Sequence, residues 1–129
     1  MKCAIAIDSG NESIAEIILT MLPDEWCPHV TVATYNGVNA VIAMVRNTLP
    51  DLLVIYTNLL FSRPEDGIAG CAAVSPGTRY LILHAWSDDD INSMLKLYEP
   101  LHVSVGVLRM PFERAQLIAT LKCACGWLP

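Results

Sequence analysis

Pro50-Asp51-Leu52-Leu53-Val54-Ile55-Tyr56 is the stretch whose reading decides the fold. Proline interrupts whatever helix precedes it, and Asp51 sits in the turn that follows. Five residues then run without a charge, apolar on both faces. Only a strand covered by helices on both sides has that pattern, and such strands belong to parallel sheets. Near the other end of the chain, Gly106-Val107-Leu108-Arg109-Met110-Pro111-Phe112 repeats the theme. An apolar run breaks at a proline, which is tolerated at the start of a helix because its missing N–H would have no partner there.

Working outward from these two strands, the chain alternates strand and helix throughout. Lys2–Ile7 is an apolar strand, followed by the Ser9-Gly10-Asn11 turn and a helix that Ser13 is placed to cap. Ile14, Ile17, Ile18, Met21 and Leu22 share one helical face. Pro23-Asp24 stops that helix, and the β-branched run within His29–Thr34 gives a second strand. Asn36-Gly37 turns into a helix over Val38–Thr48, which Pro50 ends. After Leu52–Tyr56 a loop is expected over Thr57–Asp66, then a short helix over Ile68–Val74. Tyr80–His84 is the fourth strand. Ser87 before Asp88, Asp89 and Asp90 is a helix start: a capping hydroxyl, then acids at the positive end of the dipole. That helix reaches Tyr98, His102–Leu108 is the fifth strand, and Phe112–Cys125 the last helix, stopped by Gly126.

Five βα units fill the 129 residues. No linker or repeat divides them, so one domain over 1–129 is expected. Right-handed crossovers give an open parallel sheet between two helical layers. The expected fold is the α/β flavodoxin-like, three-layer sandwich with strand order 2-1-3-4-5.

Order, spacing and short motifs together resemble the response-regulator receiver (CheY-like) family over nearly the whole chain. Pro50-Asp51 opens the third strand as receivers do, and Asp66-Gly67 closes the following loop. The resemblance also marks what is absent. Receivers begin with a strand ending in paired acids that hold Mg²⁺; here the strand ends Ile7-Asp8-Ser9. Their acceptor aspartate aligns with Tyr56. The Thr or Ser closing the fourth strand aligns with His84, the switch aromatic with Val107, and the conserved lysine before proline with Met110.

The chemistry is lost with them. Phosphoryl transfer to a carboxylate needs a nucleophilic oxygen, a divalent cation and a charge clamp on the phosphoryl oxygens. A phenol is un-ionised near neutral pH, a single carboxylate offers few hard ligands for Mg²⁺, and methionine carries no charge. Asp8, Ser9, Tyr56, His84 and Met110 are therefore read as a degenerate phosphoacceptor site, with no catalytic residue, metal or cofactor. The implied function is that of a pseudo-receiver in two-component signalling, a non-enzyme that works through protein–protein contact. The alternative is a small-ligand sensor or unusual enzyme using a cleft formed by Asp8, Tyr56 and His84 at the carboxyl ends of the strands.

Composition agrees with a protein partner. The formal charge is −5, which argues against direct nucleic-acid binding. Charged residues are 16% against roughly 25% in average soluble domains, so part of the surface is expected to be covered. The helix over Val38–Thr48 and the last helix read as apolar on more than one face. Receivers often associate through the fourth helix, fifth strand and fifth helix, so the resemblance implies a homodimer or docked partner there, through Val107, Leu117, Ile118 and Leu121, and the apolar last helix supports it. No apolar run is long enough to span a membrane, and the N-terminal run is interrupted too early, at Asp8, for a signal peptide. The five cysteines (Cys3, Cys27, Cys71, Cys123 and Cys125) contain no CxxC pair. They are expected to be reduced and mostly buried in the cytoplasm.

Overall fold

Two apolar layers, one on each side of a parallel sheet, account for nearly all of the buried residues. The structure, a computed structural model, describes residues 2–56 and 64–125, with the side chains of 64–66 excepted. Its strands are β1 (Cys3–Asp8), β2 (Val30–Tyr35), β3 (Leu52–Tyr56), β4 (Arg79–His84) and β5 (Val105–Arg109). The helices are α1 (Glu12–Met21), α2 (Val38–Thr48), α3 (Pro64–Val74), α4 (Asp88–Tyr98) and α5 (Arg114–Cys125). All neighbouring strands are parallel, in the order β2-β1-β3-β4-β5. This is the flavodoxin-like arrangement expected from the sequence.

Alternation along the strands sorts side chains between the layers. Cys3, Ile5, Ile7, Leu52, Val54, Leu81 and Leu83 face α1 and α5, where Ala15, Ile18, Leu117, Leu121 and Cys125 complete a core. Ala4, Ala6, Leu53, Ile55, Tyr80 and Ile82 face the opposite layer of Val41, Val45, Ile68, Cys71, Ile91, Met94 and Tyr98. Every residue from Leu52 to Ile55 is buried, as a strand without charge on either face requires.

The amino ends of the central strands are knotted around Pro50 and Asp51. The Lys2 backbone N–H donates to Asp51 Oδ2 at 2.8 Å, and the Arg79 N–H to the Asp51 carbonyl at 2.9 Å. The Thr78 hydroxyl donates to the Pro50 carbonyl at 2.6 Å and lies 2.6 Å from the Ser75 hydroxyl. Both hydroxyls are buried, so each needs such a partner. The segment from Ser75 to Thr78 is therefore an anchor and not only a connection between α3 and β4.

Several boundaries differ from expectation. Helix α1 starts at Glu12 with Asn11 at its N-cap position. Ser13 therefore lies inside the helix, and it is the Glu12 carboxylate that accepts from the Gly10 N–H, at 3.0 Å. Ile17 and Leu19 are half exposed, whereas Trp26, in a 3₁₀ turn after α1, is wholly buried. Helix α3 begins at Pro64, not Ile68, with proline again in the first turn. Strand β5 begins at Val105 because Glu99–Leu101 forms a 3₁₀ turn closed by His102 at φ 53°. The loop expected from Thr57 to Arg63, and the Gly126 stop, lie outside the described residues. Among the described residues, no helix is long and apolar enough to cross a membrane.

The breadth of the apolar surface on α2 has an internal cause. Beyond its sheet-facing Val41 and Val45, its Ile42 packs against α3 at Gly70. A Cβ on Gly70 would stand 2.5 Å from Ile42 Cδ1, so the missing side chain is what lets the helices approach. The apolar faces of α2 are thus spent on the sheet and on α3 rather than left for a partner. Alanine in place of a mid-helix glycine gains about 1 kcal/mol in propensity, and here the clash with Ile42 opposes it. In urea unfolding, Gly70→Ala is expected to be more stabilising by about 0.5–2 kcal/mol in an Ile42→Val background than in the wild type. Strict additivity would contradict the close approach.

Candidate functional site

The carboxyl ends of the strands bring the expected site residues to one edge of the sheet but not to one face. Ala6, Ile55, Ile82 and Val107 stand in register across β1, β3, β4 and β5. Two residues further along that register, Asp8 ends β1 and His84 pairs with Arg109. Alternation puts Asp8 and His84 on the side of Ala6 and Ile82, toward α2, α3 and α4. Tyr56 pairs with Leu83 and belongs to the other side, packed with Met110 against the α1 and α5 core. Ser9 is exposed, and its backbone N–H donates to the Tyr35 carbonyl at 2.9 Å. The sheet itself therefore stands between Tyr56 and the Asp8–His84 side, and the single cleft expected for these three residues is not how the strands present them.

On the α4 side the central group is His84, only 2% exposed. Its Nδ1 accepts from the Trp86 N–H at 3.2 Å, which leaves the proton of the neutral ring on Nε2. Burial, and then the nearby Arg109 guanidinium, hold its pKa below the ordinary value, against a smaller opposing pull from Asp88. Arg109 and Asp88 themselves form an ion pair that joins the end of β5 to the start of α4. Both are exposed, so this pair orients the helix more than it stabilises the fold. At the same helix end Ser87 Oγ accepts from the Asp90 N–H at 3.2 Å, the cap expected from the sequence. The Arg109–Asp88 pair was missed because nothing local couples residues so far apart in the chain.

On the α1 side Met110 is directed away from the strand ends. With Pro111, Phe112, Ile14, Ile17, Ile18 and Met21 it lines an apolar hollow of about 210 Å³ between α1 and the start of α5. The Met110–Pro111 peptide is cis. Tyr56 and Met110 thus both act as packing groups against the α1 and α5 core.

The donor set does not fit Mg²⁺, the ion that receivers carry by the resemblance. Asp8 is the one carboxylate at the end of β1, Asp88 is engaged by Arg109, and residues 57–63 contain no acid. Among the described residues, no group of three or more His, Cys, Asp or Glu side chains is placed to hold a metal ion.

The interface residues expected from the sequence divide in the same way. Leu117 and Leu121 are fully buried, at positions i and i+4 on the stripe of α5 that faces the sheet, so they form core and not surface. Ile118 is half-buried against the same core. Val107 is 37% exposed, and Leu97 on α4, which sequence reasoning did not single out, is 51% exposed.

Comparison with solved structures identifies the fold. The chemotaxis response regulator CheY4 of Vibrio cholerae superposes with TM-score 0.71 at 16% identity, over 96% of this chain and 98% of that one. A response regulator from Thermotoga maritima gives 0.72 at 16% identity, over 98% and 99%. The pilus assembly protein CpaE from Caulobacter crescentus gives 0.65 at 19% identity, over 94% and 91%. No protein-family model and no curated protein sequence matches the chain. It has the receiver fold.

The depressed pKa of His84 has a defined effect on stability. The unfolded chain binds a proton near the ordinary value of about 6.5 while the folded chain resists it. Stability from this group is therefore complete above that value and is lost as pH falls through it. His84→Gln keeps a neutral acceptor for Trp86. Between about pH 7.5 and 5.5 the urea midpoint of the wild type is expected to fall more steeply than that of the variant. Parallel curves would remove the role assigned to His84.

Proposed function

We propose that this chain is a regulatory module of the receiver type that transmits its signal through protein–protein contact, without aspartyl phosphorylation. One observation carries the reading. The side chains at the acceptor and lysine positions, Tyr56 and Met110, are packed into the α1 and α5 core. A phosphoryl group at this edge would find no carboxylate at Tyr56 and no ammonium at Met110, and Asp8 stands on the other face of the sheet. The structural neighbours named as response regulators support a signalling role. The alternative, a ligand or substrate cleft built from Asp8, Tyr56 and His84, is disfavoured by their division between the two faces of the sheet. The module is read as a non-enzyme acting in the cytoplasm.

The contact surface is assigned to the α4–β5–α5 side, as a homodimer or with another protein. Leu97 and Val107 replace the buried Leu117 and Leu121 as its apolar anchors. Around them the outward face of α5 carries Ala115, Ala119 and Cys123, all exposed and small enough for close approach. Alanine there also explains why the last helix reads as apolar on more than one side.

Incubation with a small-molecule phosphodonor and Mg²⁺, followed by intact mass, is expected to leave the protein unmodified. A stable phosphoryl adduct on Asp8 would overturn the phosphorylation-independent reading. Light scattering at high protein concentration is expected to give a dimer mass that Leu97→Lys and Val107→Lys together shift to monomer. A wild-type protein that stays monomeric would contradict self-association, and a dimer unmoved by the two lysines would place the contact elsewhere.

A further inference from the structure

Strand β5 is the one described strand with no buried residue. Gly106, Val107 and Arg109 are exposed, and Val105 and Leu108 are half-buried. Strands of a parallel sheet are ordinarily covered on both faces, and β1, β3 and β4 follow that rule. Even β2, at the other edge of the sheet, buries Val30. The open side of β5 is also unguarded. From Val105 to Leu108 it has no charge and no proline, and its register with β4 runs without a bulge, so the devices that keep strand edges apart are missing. Arg109, its one charge, is engaged by Asp88. We propose that β5 pairs antiparallel with β5 of a second copy of this chain, about a two-fold axis at Val107, joining the two sheets into one. The proposal rests on the self-association reading of the α4–β5–α5 side and names the interaction that carries it.

The backbone is turned the right way for this pairing. The Tyr80 N–H donates to the Ser104 carbonyl at 2.9 Å, and the Met110 N–H to the His84 carbonyl at 2.6 Å. Backbone groups alternate in direction along a strand, so Gly106 and Leu108 also point to β4. Val105, Val107 and Arg109 therefore hold their N–H and carbonyl groups outward from the sheet edge. A two-fold axis at Val107 sets Val107 against its own copy and Val105 against Arg109 of the second copy. In each facing pair the two residues exchange both backbone hydrogen bonds. The register is self-complementary, so the assembly closes at a dimer.

The side chains fit the same register. Gly106 pairs with Leu81 of the α1 and α5 layer, and Leu108 packs against that layer, so both face α5. The axis sets Gly106 opposite Leu108 of the second copy, in the kind of pair where side chains come closest. Beside Gly106 a second cavity, of about 530 Å³, opens between β5 and α5, with Leu52, Leu81 and Ala119 in its wall. Each Leu108 thus meets a position without a side chain, next to a space with apolar walls. On the α4 face the exposed Val107 meets its own copy, a β-branched cross-strand pair.

The test reads oligomeric state by light scattering at high concentration, with the urea midpoint as a check of folding. In Gly106→Val the added Cβ would meet Leu81 Cδ1 at 3.5 Å and the Tyr80 carbonyl oxygen at 4.0 Å, ordinary contacts that the single chain accepts. Across the axis the new side chain blocks Leu108 of the second copy, so a folded monomer is expected. Leu108→Ala is expected to weaken the dimer by about tenfold or more. An equimolar mixture of the two variants is expected to recover a dimer mass, because valine then faces alanine and leucine faces glycine. In the wild type, which needs no variant to fold, the Val107 amide is expected to exchange with deuterium more slowly at high concentration than after dilution to monomer. A wild-type monomer would overturn the pairing together with the self-association it rests on. A dimer that Leu97→Lys with Val107→Lys dissolves but Gly106→Val leaves intact, or a Val107 amide that exchanges alike in dimer and monomer, would overturn the strand pairing alone.

Discussion

The exclusion of water from both faces of β3 is the constraint on which the rest of the structure depends. Leu52 to Ile55 can be buried only if helices cover the sheet twice, and the chain supplies α1 and α5 on one side and α2, α3 and α4 on the other. Each end of β3 then has its own task. At the amino end, Pro50 and Asp51 accept hydrogen bonds from Thr78, Lys2 and Arg79, which sets the starts of β1 and β4 against β3. At the carboxyl end, strict alternation decides that Tyr56 faces α1 and α5. Tyr56 packs there beside Met110.

The fold was legible because its signals are local and repeated. Charge-free strands at Leu52–Tyr56 and Tyr80–His84 and the Ser87 cap each follow from neighbouring residues, and together they permit few topologies; the last helix, expected from Phe112, starts instead at Arg114. The site was only half legible. Which residue types stand at the strand ends can be read from the chain. Which face each side chain takes depends on register between strands. One residue separates the level of Tyr56 from that of His84, and that single step puts the sheet between them. The same limit hid the pairing of Arg109 with Asp88 and the burial of Trp26, both settled by tertiary neighbours rather than by sequence spacing.

Apolar composition was the least reliable guide. Low charge and broad apolar helices suggested a covered surface, yet α2 uses its extra face on α3 through Ile42 and Gly70, and α5 buries Leu117, Leu121 and Cys125 along one stripe. A helix between a sheet and another helix needs two apolar faces without any external partner. What remains on the side proposed for a partner is narrower, Leu97 on α4 and Val107 on β5 beside small residues of α5, while Ile17, Leu19 and Leu49 are exposed elsewhere.

That narrowing places α5 between two kinds of restraint. Along its length it is held by the Leu117–Leu121–Cys125 stripe, while beside it Gly106 leaves the sheet edge without a side chain and the second cavity opens between β5 and the helix. Apolar packing resists separation from the sheet but resists sliding along it less, because neighbouring contacts can exchange. Any partner on the proposed α4–β5–α5 side would therefore meet a helix held along one stripe, with a cavity open between it and β5.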